Sequence, residues 1–249
     1  MNRLILAGVA VLGVILGAVG LLSVQAFAPP RVDVADRARI ESVVRDYILA
    51  HPEILPEAMQ KLQDRETADR GNRAAMVAAQ NRQAIETPFA GAWAGNPNGD
   101  VTLVEYFDYN CGYCRASLPA IAALLKSDPK IRIVYRDFPI LAQSSVDAAK
   151  MSLAAAEQGK FQAFHDALYA GGPVTAQSIA TAAQRAGLDM ARAAAFAPRA
   201  QEEIAANEAM AQKLGLTGTP SWVIGRKVVS SALPLEELQK AIAAARGGK

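Results

Sequence analysis

One stretch limits what this chain can fold into more than any other. An apolar run from Val101 to Phe107 leads into Asp108-Tyr109-Asn110-Cys111-Gly112-Tyr113-Cys114, and a helical pattern follows. A strand that turns directly into a helix sets these two thiols at the helix N-terminus. There the unpaired N–H groups and the positive dipole end stabilise an anion, so such thiols ionise more readily than a free cysteine at about 8.5. Cys111, the outer and more exposed of the two, is the expected nucleophile; Cys114, a turn further in, is the expected resolving thiol.

The chain has 249 residues and no other cysteine. A purely structural disulfide closing a loop of about four residues would contribute only about 2 kcal/mol by chain entropy, against about 3 for fifteen. Zinc would need two further ligands, and His51 and His165, the only histidines, have no ligand spacing to the cysteines or to each other. Neither a metal nor a cofactor is expected. Redox chemistry is the reading that uses both sulfurs.

Near the other end stands Gly215-Leu216-Thr217-Gly218-Thr219-Pro220-Ser221-Trp222-Val223-Ile224, in which a proline opens a short apolar strand after a glycine-rich turn. X-Pro bonds are where cis peptides occur. Together the two motifs resemble the thioredoxin fold, in which a cis-proline loop packs beside the cysteines. The closer resemblance is to its DsbA-like branch and to ScsC-type periplasmic thiol–disulfide proteins. It is carried by Phe107 to Arg115, Leu118-Pro119-Ala120, Arg136-Asp137-Phe138-Pro139-Ile140, the run from Gly159 to Leu168, and Gly218 to Gly225, and it extends from about Ile40 to the end. It implies an α/β thioredoxin fold with an inserted all-helical subdomain, preceded by an N-terminal helical stalk. It also implies that Thr219, Pro220, Gly112 and Tyr113 shape the substrate groove.

Taken in order, Met1-Asn2-Arg3 precedes an apolar run from Leu4 to Val24, and Ala26-Phe27-Ala28 has the small-x-small form of a signal-peptidase site. The segment 1–28 is read as a signal peptide or a membrane anchor, since about 21 residues at 1.5 Å rise would cross a hydrocarbon core of about 30 Å. Both readings export the chain to the periplasm, soluble after cleavage or tethered to the inner membrane by residues 4–24. A net charge of +2, without basic runs interleaved with aromatics, argues against nucleic acid as a partner.

Residues 29–87 read as the stalk. Ile40, Val43, Val44, Tyr47 and Ile48 form an apolar stripe on a charged helix that His51-Pro52 breaks; a second helix carries Ile54, Leu55, Met59 and Leu62. The stripe then fades into a polar connector with an expected weak point at Gly71. Such a stripe would find its partner in other copies of the chain, so a homo-oligomer through residues 36–85 is expected; the alternative is a helix pair folded back on the main domain.

The main domain is read as 88–249, opened by turn-rich sequence through Gly99. Glu105 stands alone in the apolar strand, six residues before Cys111, the spacing at which the resembling proteins bury an acid beneath the inner cysteine. Burial would raise its pKa and suit it to accept a proton from Cys114. After a helix containing Pro119, the strand Ile131 to Tyr135 completes a βαβ unit. From about 142 to 213 only helical signals occur, with Ser144-x-x-Asp147 resembling a capping box. A hairpin and a closing helix follow.

The substrates expected are exported proteins with thiols or disulfides. Direction stays open at this level. Tyr113 stands where strongly oxidising DsbA proteins have histidine, which removes one source of thiolate stabilisation and favours an isomerase or reductase kept reduced by a membrane partner. A DsbA-like dithiol oxidase is the alternative. From another class, two soft thiolates could hold Cu(I) in a copper-tolerance protein.

Overall fold

The computed structural model describes residues 33–247, so the expected signal or anchor segment lies outside the described residues. The chain divides into two compact units, up to Gln63 and from Asp64 onward. No helix among the described residues is long and apolar enough to cross a membrane.

The first unit holds α1 (Val34–Ala50) and the start of α2 (Ile54–Gln80). His51 ends α1, its N–H bonding back to the Tyr47 carbonyl, and Pro52 cannot continue the helix. Most of the expected stripe is on the surface of the single chain: Ile40, Val43, Val44, Tyr47, Leu55, Met59 and Leu62 are 49–64% exposed, while Ile48 and Ile54 are half-buried. The weak point expected at Gly71 is absent. Helix α2 runs through it without a break, in the second unit, and no non-local atom lies within 4 Å of where a Cβ would be.

In the second unit the end of α2 and α3 (Arg82–Glu86) belong to the packed body. Ala78 and Ile85, each 1% exposed, join Val104, Tyr106, Val134 and Val223 in one apolar cluster. The Arg136 guanidinium, itself buried, fastens this entry. It donates to the carbonyls of Ala84, Ile85 and Thr87 at 2.6, 3.2 and 2.6 Å and to the Glu203 carboxylate at 3.0 Å. The compact unit thus starts ahead of Pro88, where the turn-rich sequence suggests a boundary.

The turn-rich stretch also contains a strand that the sequence pattern does not announce, β1 (Trp93–Gly95), too short for an alternation to be seen. It is followed by β2 (Val101–Phe107), α4 (Gly112–Ser127), which continues through Pro119, and β3 (Ile131–Asp137). Four helices come next, α5 (Gln143–Glu157), α6 (Phe161–Ala170), α7 (Ala176–Arg185) and α8 (Met190–Leu214). Then β4 (Ser221–Ile224), β5 (Lys227–Val229) and α9 (Leu235–Gly247) close the chain. The sheet order is β1-β3-β2-β4-β5, with β2 and β3 parallel and the other pairs antiparallel. This is the thioredoxin arrangement, its helical insertion lying between β3 and β4.

Strand β2 is buried on both faces, which explains its nearly continuous apolar sequence. Leu103 and Phe107 face the larger cluster, built with α4, α5, α6, α7 and α9, while Val104 and Tyr106 face the cluster with α2, α3 and α8. Phe161, Phe164, Leu168 and Tyr169 are buried as their spacing suggests. The capping box expected at Ser144 is not formed. Helix α5 is instead capped two residues earlier, at Ala142, without a side-chain cap, and the Ser144 and Ser145 hydroxyls both accept from Asn110 Nδ2 at 2.9 Å. The reciprocal cap is instead Thr175 with Ser178, at the start of α7. Gly215 stops α8 at φ +69°, a conformation that costs glycine little.

Candidate active site

The site is built where β2 runs out. After Phe107 the backbone turns through Asp108-Tyr109-Asn110, and Cys111 becomes the N-cap of α4 with extended φ and ψ of −76° and 113°. Its Sγ accepts the Cys114 N–H at 3.3 Å, which is the work of a capping side chain, and its thiol donates to the Thr219 carbonyl at 3.1 Å. Both cysteines are free thiols. Thr219-Pro220 is a cis peptide and leads into β4, whose Ser221 and Trp222 pair with Tyr106 and Glu105 of β2. Antiparallel pairing thereby brings the proline loop to the same end of the sheet as the cysteines.

The geometry gathers Cys111, Cys114, Thr219 and Pro220 at one point, with Glu105 beneath. Gly112 and Tyr113 lie between the sulfurs on the exposed side, Tyr113 at 72% exposure. Cys111 is the more exposed of the two sulfurs by a narrow margin, 5% against 1% for Cys114, with the Thr219 carbonyl against its thiol.

Glu105 is 2% exposed, and its neighbours in register are Tyr135 on β3 and Trp222 on β4. By the alternation of β2 it shares the face of Leu103 and Phe107, which is the face of the cysteines. Burial pushes its carboxyl up to about 8. Cys114 is pushed well above an ordinary thiol, chiefly by burial and next by the charge of Glu105, while a hydrogen bond from the Asp108 backbone acts in the opposite direction. Two groups that each resist carrying charge next to the other can pass one proton between them.

His165 is packed in the core. It is 1% exposed among the rings of Phe107, Tyr109, Tyr135, Phe161 and Tyr169, and burial brings its pKa down to about 3. Its Nδ1 lies 3.2 Å from the Tyr109 hydroxyl, which donates to Ser152 Oγ at 3.1 Å; Ser152 in turn donates to Asp137 at 3.2 Å. His51 lies in the first unit, 3.2 Å from Glu53. Among the described residues no three His, Cys, Asp or Glu side chains are grouped to hold a metal.

Sequence reasoning assigned no role to the residues around the turn. Tyr169 donates its hydroxyl to the Asp108 carbonyl at 3.2 Å, and Arg115 reaches back to the carbonyls of Tyr169 and Gly172. The Asp108 carboxylate accepts from Asn110, Ile140 and Leu141. The local signal was an Asp and an Asn bracketing a strand-to-helix turn, where such side chains bond to nearby backbone.

Comparison with known proteins agrees with this geometry. The family described as DSBA-like thioredoxin domain matches residues 102–243, and the copper resistance protein ScsC N-terminal domain matches residues 36–68. A thioredoxin-like oxidoreductase from Silicibacter pomeroyi is 41% identical, with a TM-score of 0.64 over 67% of this chain and 98% of that one. Salmonella enterica BcfH is 27% identical, with a TM-score of 0.74 over 86% of this chain and 97% of that one. A periplasmic thioredoxin-like protein, also from Salmonella enterica, is 27% identical, with a TM-score of 0.59 over 67% and 95%. A curated relative, the Na(+)/H(+) antiporter NhaA 1 of Salinispora arenicola, is 31% identical over 162 residues, 62% of this chain; the match spans only 24% of the antiporter's length. With more than half of its residues matched by that domain family and a further match ahead of it, the chain belongs to the DsbA-like thioredoxin family and carries a ScsC-type N-terminal domain.

Proposed function

We propose that the protein is a thiol–disulfide oxidoreductase of the periplasm that acts on disulfides of exported proteins through Cys111 and Cys114, as an isomerase or reductase. The observation that carries this reading is the Cys111 sulfur itself, capping α4 through the Cys114 N–H and lying against the Thr219 carbonyl beside Pro220. In the first step the Cys111 thiolate attacks one sulfur of a substrate disulfide. A Cys111–substrate disulfide forms and the other substrate sulfur leaves as thiolate. If a different substrate thiolate then attacks the bonded substrate sulfur, Cys111 is released reduced and the substrate has been isomerised. If Cys114 attacks Cys111 Sγ instead, its proton passes to Glu105, the substrate leaves reduced and the enzyme holds the Cys111–Cys114 disulfide. A membrane partner supplies the two electrons that restore the dithiol.

Support for the periplasm comes from the apolar segment 4–24 with its Ala26-Phe27-Ala28 site and from the periplasmic relative. Tyr113 between the sulfurs, in place of histidine, supports the isomerase or reductase direction over a dithiol oxidase. Cys111→Ser is expected to abolish exchange with a scrambled disulfide substrate, whereas Cys114→Ser accumulates mixed disulfides on Cys111. Mass spectrometry that finds trapped substrate on Cys114 in the reciprocal variant would reverse the assignment. Failure of the reduced wild type to rescue a scrambled protein, with rapid oxidation of reduced substrates, would favour the oxidase.

A further inference from the structure

Asp108 stands three residues before the nucleophile and is 2% exposed, yet the chemistry above gives its side chain no part. Its bonds are nevertheless concentrated on the turn that carries Cys111. One carboxylate oxygen accepts the Asn110 N–H at 2.8 Å, and the other accepts Ile140 at 2.9 Å and Leu141 at 3.0 Å, in the loop that follows β3. Its main-chain carbonyl accepts the Cys111 N–H at 2.9 Å and the Tyr169 hydroxyl at 3.2 Å. Three separate segments therefore meet on this residue: the end of β2 with the cysteine turn, the loop between β3 and α5, and helix α6.

The sequence between β2 and α4 has no regular structure to hold its shape, so the orientation of the first turn of α4 depends on such side-chain bonds. Asn110 adds a second tether, from the same turn to Ser144 and Ser145 of α5. A carboxylate can satisfy all three N–H groups because both of its oxygens accept. An amide of the same shape offers one acceptor and one donor, so its NH2 must confront a backbone N–H on one side.

We propose that Asp108 is a positioning residue for the exchange reaction: by accepting the N–H groups of Asn110, Ile140 and Leu141 it holds the turn that sets the Cys111 sulfur over the start of α4. The consequence reaches both sulfurs. If the turn loosens, Cys111 loses the alignment by which its sulfur caps α4, and the Asp108 backbone moves away from Cys114, whose ionisation it favours. This inference rests on Cys111 being the nucleophile.

The test compares Asp108→Asn and Asp108→Ala, each combined with Cys114→Ser so that only Cys111 reacts, by following its attack on a small peptide disulfide at fixed pH. The expected result is a fall in the first-order attack step of about tenfold for Ala and less for Asn, with the substrate KM unchanged, in protein that retains its circular dichroism. In the dithiol background kcat for exchange should fall by a similar factor. Amide hydrogen exchange at Ile140 and Leu141 should accelerate in both variants. If Asp108→Ala does not fold, Asp108→Asn carries the comparison. A folded variant in which Cys111 attacks at an unchanged rate overturns the proposal. Exchange that survives Cys111→Ser would instead overturn the underlying reading of the nucleophile, so the two failures are distinguishable.

Discussion

Glu105 ionises near 8 in the folded chain against 4.5 when unperturbed, so at pH 7 roughly a tenth of it is available to take a proton from Cys114. Resolution of the mixed disulfide should therefore quicken roughly fivefold between pH 7 and 8 and level off above 9; in Glu105→Gln it should be slower and lack that rise, measured by stopped-flow release of a trapped peptide. The same shift has a stability consequence. An acid whose folded pKa is raised contributes fully below its unfolded value and loses that contribution as pH rises toward the folded one, here from about 4.5 to about 8. Glu105→Gln should then unfold at higher denaturant than the wild type at pH 7, by roughly 3 kcal/mol, with the difference vanishing below pH 4. His165 acts in the opposite direction. It is held neutral, with a folded pKa near 3 against 6.5, so its contribution is lost as pH falls from about 6.5 toward 3. Between pH 7 and 4, His165→Phe should lose less stability than the wild type, by up to roughly 3 kcal/mol in urea unfolding.

At the scale of elements, what could be read in the sequence followed period and punctuation. Strand β2, the βαβ unit, the run of four helices and the closing hairpin all carry patterns longer than a turn, and Glu105 is visible because it interrupts one. The three residues of β1 are too few for any period, and β1 exists because β3 offers it an antiparallel edge. The start of α5 was misplaced because Ser144 spends its hydroxyl on Asn110, 34 residues away, rather than on its own helix. Arg136 and Tyr169 went unassigned for the same reason, since partners 67 and 61 residues distant leave no local trace. Gly71 was overread, because tertiary packing at Ala78 and the length of α2 outweigh one glycine. With open space at its Cβ position, Gly71→Ala should stabilise α2 by about 1 kcal/mol. Slower tryptic cleavage after Arg70 and Arg73 would report it, and an unchanged rate would mean that opening there does not limit cleavage.

For the whole molecule the open question is what covers the stripe of the first unit. Five side chains such as Ile40, Val43, Tyr47, Leu55 and Met59, at about 1.5 to 3 kcal/mol each on full burial, could hold copies together. The structure dictates where to cut in testing this. Removal through Ile85 would strip Ala78, Ile85 and two of the three carbonyls that Arg136 holds, exposing Val104, Tyr106 and Val134. Removal through Gln63 leaves that packing intact. Sedimentation of the exported form should show an oligomer and the shortened form a soluble monomer, with isomerisation lost and dithiol oxidation kept. A monomeric exported form would end the self-association reading.

The Cys111 sulfur and the Thr219 carbonyl that covers it are 108 residues apart in the chain, with the whole helical insertion between them. Exported as proposed, N-terminus first into an oxidising compartment, the polypeptide would present its thiols long before their cover had arrived. In a chain rich in cysteine that interval would be an opportunity for wrong pairings. Here the two sulfurs are the only ones, three positions apart, so the sole bridge the nascent chain can make within itself is the one its finished site is built to open.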